Sequence, residues 1–113
     1  TLWLLFGARN PAGVDRNLPD LSRAEILVRV NALADDIRLR ILRLIHEEGE
    51  LRSQDIMSKL DLSQSAASRH LKQLSATGFL VERRCTGAKC YDLNPQRIED
   101  TLTAISLFLL GSK

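Results

Sequence analysis

The chain has 113 residues, a formal net charge of +2 and five aromatic side chains, which suits a single domain with a mostly aliphatic core. No apolar run reaches the roughly 20 residues of a membrane-spanning helix, and two cysteines are too few for a disulfide scaffold. We therefore expect a cytoplasmic protein with no membrane partner.

The N-terminal segment differs in composition from the rest of the chain. Residues 7–20 contain two Gly, two Pro and two Asn, a composition typical of a linker or an ordered arm. Because the chain does not begin with Met, we expect residues 1–21 to be an N-terminal arm or the remnant of a preceding domain. Residues 22–110 should form the folded domain, and residues 111–113 a short tail.

Capping residues and apolar spacing predict three helices in the first half of the domain. Ser22 is expected to cap the first helix, and a second should run from about Asp36 to the turn at Gly49. Ser53 is expected to cap a short third helix.

The second half of the domain predicts a helix, a hairpin and a last helix. Ser63 should cap a helix over 63–76 that ends before Gly78. Two β-like runs around a Thr-Gly-Ala-Lys turn predict a hairpin, with the wing over 81–93. Asn94-Pro95 then begins the final helix, with Asn as the cap and Pro at the first position.

These elements, in the order helix-helix-helix-helix-hairpin-helix, predict a mainly α fold with a small β-hairpin (α+β), a winged helix-turn-helix. The outer helices carry more apolar surface than so small a core can absorb, and such a surface usually binds a partner. We therefore predict a homodimer with an interface made by Ile26, Val30, Ile98, Leu102, Ile105 and Leu109.

The fourth helix has two unlike faces. At 100° per residue, Ala67, Leu71 and Leu74 fall within about 60° of one another and form a buried face. The opposite face is short, hydroxylated and basic, without Asp or Glu. Small residues allow close approach to base pairs, Gln and Ser hydrogen-bond base edges, and Arg and Lys bind guanine or phosphate. This face therefore predicts insertion into the major groove of double-stranded DNA; the alternative is a solvated face with no partner.

Positive charge is concentrated around this helix, because residues 52–91 carry a balance of +4 and the rest of the chain −2. His70 lies beside the buried face, where packing or phosphate contact is expected rather than metal binding. The predicted DNA-binding residues are Ser63, Gln64, Ser65, Ser68, Arg69, His70 and Lys72 on the recognition helix, and Arg83, Arg84 and Lys89 in the wing.

Three segments resemble the ArsR/SmtB family of bacterial winged-helix repressors, over roughly residues 22–110. LADDIRLRILRLI (33–45) is similar to the family's LADPTRLRIL-type helix. LSQSAASRHLKQLSATGFLVERR (62–84) is similar to its recognition helix and first wing strand, and CYDLNP (90–95) to its second wing strand. The resemblance implies a homodimeric repressor that binds imperfect inverted repeats, with the recognition helix in the major groove and the wing on the backbone.

The chain departs from the metal-sensing pattern of that family. Where arsenite and cadmium sensors often have cysteines, ELRSQDI (50–56) places Arg52 and Gln54. Zinc sensors use Asp, His and Glu on the last helix, whereas residues 95–113 contain no His. We therefore expect neither familiar metal site, and no cofactor.

The two cysteines flank the predicted hairpin turn. If Gly87 and Ala88 form its tip, Cys85 faces Cys90 and Arg83 faces Asp92, which places the sulfur atoms within disulfide range. A thiol switch in the wing would then alter phosphate contact by Arg84 and Lys89. The alternative is two reduced cysteines that serve as small strand residues, as expected in the cytoplasm.

Other functions are less well supported by the residues. A winged helix used for protein–protein contact is disfavoured by the basic face and the few aromatics, and a redox regulator using Cys85 and Cys90 is a further alternative. No Ser/His/Asp or Cys/His arrangement, phosphate loop, carboxylate pair or metal cluster is recognisable, so the sequence does not predict an enzyme. The leading hypothesis is a sequence-specific transcriptional regulator, located in the cytoplasm with the nucleoid.

Overall fold

The computed structural model describes residues 21–111, which form five helices and a three-stranded sheet. The predicted N-terminal arm, apart from its last residue, lies outside the described residues. Within them, no helix is both long and apolar enough to cross a membrane. The elements are α1 (Arg23–Leu33), α2 (Asp36–Glu48), β1 (Leu51–Arg52), α3 (Ser53–Leu60), α4 (Gln64–Ala76), β2 (Leu80–Cys85), β3 (Ala88–Leu93) and α5 (Pro95–Leu110).

Side-chain caps set the start of most helices, because a side-chain oxygen satisfies a backbone N–H that the first turn leaves unpaired. The Ser22 hydroxyl accepts from the Glu25 N–H at 3.1 Å, and the Ser63 hydroxyl accepts from the Ala66 N–H at 3.1 Å. Asn94 caps α5, which begins with proline as predicted. These three predicted caps are confirmed.

The predicted cap of the third helix is wrong by one residue. Helix α3 begins at Ser53 itself, and Arg52 occupies the cap position. The Arg52 N–H donates to the Asp55 carboxylate at 3.4 Å, so an acid within the first turn satisfies this group instead.

The small sheet has the order β1-β3-β2 and is antiparallel throughout. Strand β1 was not predicted. It comprises two residues, which pair with β3 through Leu51–Tyr91 and Arg52–Cys90. A two-residue strand is too short for a period-two pattern, so only its pairing with β3 reveals it.

The hairpin register differs from the predicted one by two residues. Cys85 pairs with Ala88, and Arg83 pairs with Cys90 rather than with Asp92. The connection is the two-residue turn Thr86-Gly87, and Gly87 has φ +70°, a left-handed conformation that glycine adopts at little cost. The tip therefore lies one residue earlier than the prediction placed it.

The core lies between the helices and the inner face of the sheet. Helix α4 contributes Ala67, Leu71 and Leu74, all buried as predicted. Phe79 follows α4 and is fully buried, which fixes the angle at which the chain enters the wing. The core is otherwise mainly aliphatic, with Ile41, Leu42, Ile45, Ile56, Leu80 and the aromatic Tyr91.

Candidate nucleic-acid interface

Helix α4 presents one buried face and one polar exposed face. Its N-terminus is held by the Ser63 cap, and α3 packs against it after a tight turn in which Asp61 has φ +55°. This is the arrangement of a helix-turn-helix, in which the second helix is presented to solvent. The predicted residues that are exposed on or beside α4 are Ser63, Gln64, Ser65, Ser68, Arg69 and Lys72.

The cations of this face are free of carboxylates. Among the described residues, no Asp or Glu forms an ion pair with Arg69, Lys72 or Arg84. Several cations elsewhere on the domain do have such partners; Lys59, for example, lies 3.3 Å from Glu48. Unpaired, exposed cations leave a positive field that attracts polyanions.

His70 does not belong to this exposed face, so the structure favours its packing role over the predicted contact with DNA. Its side chain is only 2% exposed, because position 70 lies next to the buried residues of α4. Its Nδ1 atom lies 3.3 Å from Nη1 of Arg38 and 3.8 Å from Oδ2 of Asp35. The packing role, which was the other expectation for this residue, agrees with these contacts.

Burial gives His70 a measurable effect on stability. Desolvation lowers the pKa of His70, and the nearby Asp35 carboxylate opposes this shift only partly. The His70 imidazole therefore binds a proton more readily in the unfolded chain than in the folded chain. As a result, the free energy of unfolding should decrease as pH falls from about 7 to 5. Chemical denaturation at several pH values measures this slope. In His70→Gln the slope should be shallower, and an unchanged slope would contradict the assignment.

The three wing cations differ in whether a carboxylate is paired with them. Arg83 donates two hydrogen bonds to Glu50, at 2.5 and 2.7 Å, and this guanidinium lowers the pKa of the Glu50 carboxyl. Lys89 lies 3.2 Å from Glu82. Arg84 is therefore the wing cation most available to a phosphate, while Arg83 and Lys89 must exchange a carboxylate for one. Glu50 was missed by sequence reasoning, because the pairing of β1 with β3 is what brings it within reach of Arg83 on β2.

The two cysteines are joined by a disulfide bond. They were expected to face each other directly, but they lie diagonally across the hairpin, with Cα atoms 5.8 Å apart. Within the described part of the chain, one carboxylate oxygen of Glu50 lies within 4.8 Å of both sulfur atoms. Sulfur atoms that are bonded to each other are not thiolate ligands for a metal. We therefore interpret this cluster as a redox site and not as a metal site.

The apolar face predicted for a dimer is only partly as expected. Ile26 is buried within the domain, whereas Ile98 and Ile105 are half-buried. Helices α1 and α5 pack together, and Arg29 donates to Thr101 at 3.4 Å between them. Their outer surface exposes five large apolar residues beyond the predicted set, namely Leu27, Val28, Leu107, Phe108 and Leu110. Its exposed members are Leu27, Val28, Val30, Leu102, Leu107, Phe108, Leu109 and Leu110. We call this set the outer apolar face.

Comparison with known proteins places this geometry in a family. Residues 35–81, from the start of α2 to the start of β2, match the model described as "Bacterial regulatory protein, arsR family". The chain is 45% identical to the arsenic resistance transcriptional regulator ArsR1 of Pseudomonas putida over 64 residues, which is 57% of this chain. The match spans about half of that relative, 50% of its length.

A longer match is to the transcriptional activator HlyU of Vibrio cholerae, 32% identical over 89 residues, which cover 77% of this chain and 82% of HlyU. A solved structure of HlyU from the same species superimposes with a TM-score of 0.61 at 29% identity, covering 79% of this chain and 95% of HlyU. The match extends beyond the helix-turn-helix to most of the domain. The chain belongs to the ArsR family of bacterial regulatory proteins, and its fold is a winged helix-turn-helix.

Proposed function

We propose that this protein is a cytoplasmic, homodimeric transcriptional repressor that binds an inverted repeat in double-stranded DNA. The observation that carries the proposal is the exposed face of α4, where Arg69 and Lys72 have no carboxylate partner among the described residues. A dimer seated on such a site excludes RNA polymerase from an overlapping promoter without any further contact surface, which favours repression.

The recognition helix supplies the contacts that distinguish one sequence from another. Gln64, Ser65 and Ser68 are short polar residues at its N-terminal end, where backbone approach to base edges is closest. Arg69 follows Ser68 directly and has the planar, two-pronged geometry that matches the O6 and N7 atoms of guanine. The N-terminus of α4 also presents unpaired N–H groups to phosphate.

Affinity, as distinct from specificity, would come from phosphate contacts. Lys72 on α4 and Arg84 in the wing are exposed, and Arg83 and Lys89 join them when DNA displaces their carboxylate partners. Each phosphate neutralised adds roughly 0.9 to the slope of log affinity against log salt concentration. Binding by a dimer with two copies of this set should therefore weaken steeply as salt increases.

The second protomer would cover the outer apolar face. The exposed leucines, valines and Phe108 of α1 and α5 form a surface too apolar to remain in water, and these two helices already pack against each other. A two-fold interface there would place two copies of α4 on one side of the dimer, as a symmetric operator requires.

Leu102→Glu should convert the dimer to a monomer. Leu102 is 58% exposed in the single chain, and a carboxylate at an apolar two-fold interface is desolvated without a partner in both protomers. Sedimentation equilibrium should show the monomer mass. Affinity for a two-half-site duplex should fall by about 100-fold or more, because each monomer binds only one half-site.

Leu39→Glu is the matched control for this experiment. Leu39 is 51% exposed and lies on α2, away from the outer apolar face. This variant should remain dimeric and bind DNA normally. A dimer that survives Leu102→Glu, or is lost equally in Leu39→Glu, would show that the interface lies elsewhere.

A further inference from the structure

The tip of the wing is closed by a covalent bond that the helix-turn-helix itself does not need. Cys85 ends β2, and Cys90 lies in the middle of β3, the central strand of the sheet. Their Cα atoms are 5.8 Å apart, well within the range that a disulfide spans, and the bond links the two sides of the hairpin at its turn. The loop that it closes is residues 85–90, which includes Lys89.

The bond lies on the opposite side of the hairpin from two of the three wing cations, Arg84 and Lys89. Successive side chains alternate between the two faces of a strand, so Cys85 shares a face with Arg83, and Cys90 lies opposite Arg83 in the register. Arg84 and Lys89 are paired with each other on the other face. The bond therefore restrains the tip on the face opposite Arg84 and Lys89 and does not cover these two cations.

The surroundings of the pair suit thiol chemistry. Cys85 is half-buried beside the turn, so a small molecule can reach its sulfur, whereas Cys90 is only 4% exposed. Cys90 has an arginine as its register partner on each neighbouring strand, Arg52 on β1 and Arg83 on β2. The thiolate is the nucleophile in disulfide exchange. Arg83 is bound to Glu50, whose carboxylate lies within 4.8 Å of both sulfur atoms, so charges of both signs surround the pair.

We propose that Cys85 and Cys90 are a reversible thiol-oxidation site, and that the disulfide form holds the wing tip in its DNA-binding conformation. This inference rests on the proposed function, since its readout is DNA affinity. The oxidant is a low-molecular-weight disulfide. The Cys85 thiolate attacks one of its sulfur atoms and releases one small thiol. The Cys90 thiolate then attacks Cys85 in the mixed disulfide and releases the second. Two protein thiols are oxidised and one small disulfide is reduced to two thiols.

The expected direction follows from conformational entropy. In the reduced protein, residues 85–89 lie at the end of the hairpin ladder, beyond the pairing of Cys90 with β1, and ordering them on DNA opposes binding. In the oxidised protein this ordering is already in place before DNA arrives. Since a dimer carries two wings, we expect the oxidised form to bind DNA about fivefold to tenfold more tightly than the reduced form.

The test compares DNA affinity of the full chain in the two redox states by fluorescence anisotropy, at fixed salt and with a chelator present to exclude metals. One sample is reduced with a phosphine, and the other is oxidised with glutathione disulfide and desalted. Because the chain has two cysteines, a thiol titration should give two thiols per chain in the first sample and none in the second. The control variant is Cys85→Ser combined with Cys90→Ala, with Cys85→Ser alone as a second variant that leaves the buried position unchanged.

The proposal predicts that both variants bind with the affinity of the reduced wild-type protein under either treatment. Equal affinity of the two wild-type states, with the thiol titration showing the bond formed, would overturn it. Two titratable thiols after oxidation would overturn it as well. If neither state binds any duplex, both the proposed function and this inference are wrong. DNA binding that ignores redox state, in contrast, overturns this inference alone.

Discussion

Arg69→Glu should abolish binding to operator DNA while the domain stays folded. Arg69 is exposed in the middle of the polar face of α4, and its loss removes one guanine or phosphate contact from each half-site. A good bidentate contact contributes about 1–3 kcal/mol, and the new carboxylate also repels the phosphates. With two copies in the proposed dimer, affinity should fall by about 100-fold or more. Fluorescence anisotropy with a labelled duplex measures the change.

The matched control reverses an arginine on another helix. Arg43 is exposed on α2 and pairs with Glu47 one turn away, at 2.7 Å. Arg43→Glu makes the same change in net charge, so its effect on DNA affinity should be limited to a few-fold through the overall field. Both variants should keep the wild-type circular dichroism spectrum. Equal losses in the two variants would mean that net charge, and not the recognition helix, determines binding.

Phe79→Ala should have the largest effect on folding. Phe79 is fully buried between the end of α4 and β2, and its N–H donates to the Leu74 carbonyl at 3.0 Å, which closes the helix end. Truncation of a buried Phe costs about 3–5 kcal/mol through lost burial and the cavity left behind. Domains of this size are stable by only about 5–15 kcal/mol, so the variant should be partly unfolded at 37 °C.

Urea denaturation at fixed protein concentration measures this loss. Val81→Ala is the control. Val81 lies only two residues after Phe79, on β2, but its side chain is 49% exposed. Its free energy of unfolding should change by less than about 1 kcal/mol. A Phe79→Ala variant as stable as the Val81→Ala variant would show that the corner between α4 and the wing is not part of the core.

The two faces of the recognition helix could be predicted because helical periodicity is a local property. Ala67, Leu71 and Leu74 recur at helical spacing, and the structure buries all three. The caps Ser22, Ser63 and Asn94 are likewise local signals, since each cap contacts a residue three positions later. The winged helix-turn-helix follows from the order of elements that these signals define.

The errors concern contacts between residues distant in the chain. The wing register depends on which residues form the turn, and Thr86-Gly87 replaced the expected Gly87-Ala88 because Gly87 takes the left-handed conformation. The pairing of Arg83 with Glu50 spans 33 residues and requires strand β1, which is too short to recognise. His70 was placed beside the buried face, but only the position of Arg38 and Asp35 on α2 and its cap shows that it is enclosed there.

Selection of bound sequences from a random duplex library, at low salt and with the purified protein, is the decisive test of α4 as a DNA-reading helix. We expect recovery of an inverted repeat whose half-sites lie about one helical turn apart. Sequences selected with Arg69→Glu should show no such repeat. Failure of the folded wild-type protein to enrich any sequence would contradict the assignment of α4 as a DNA-reading helix.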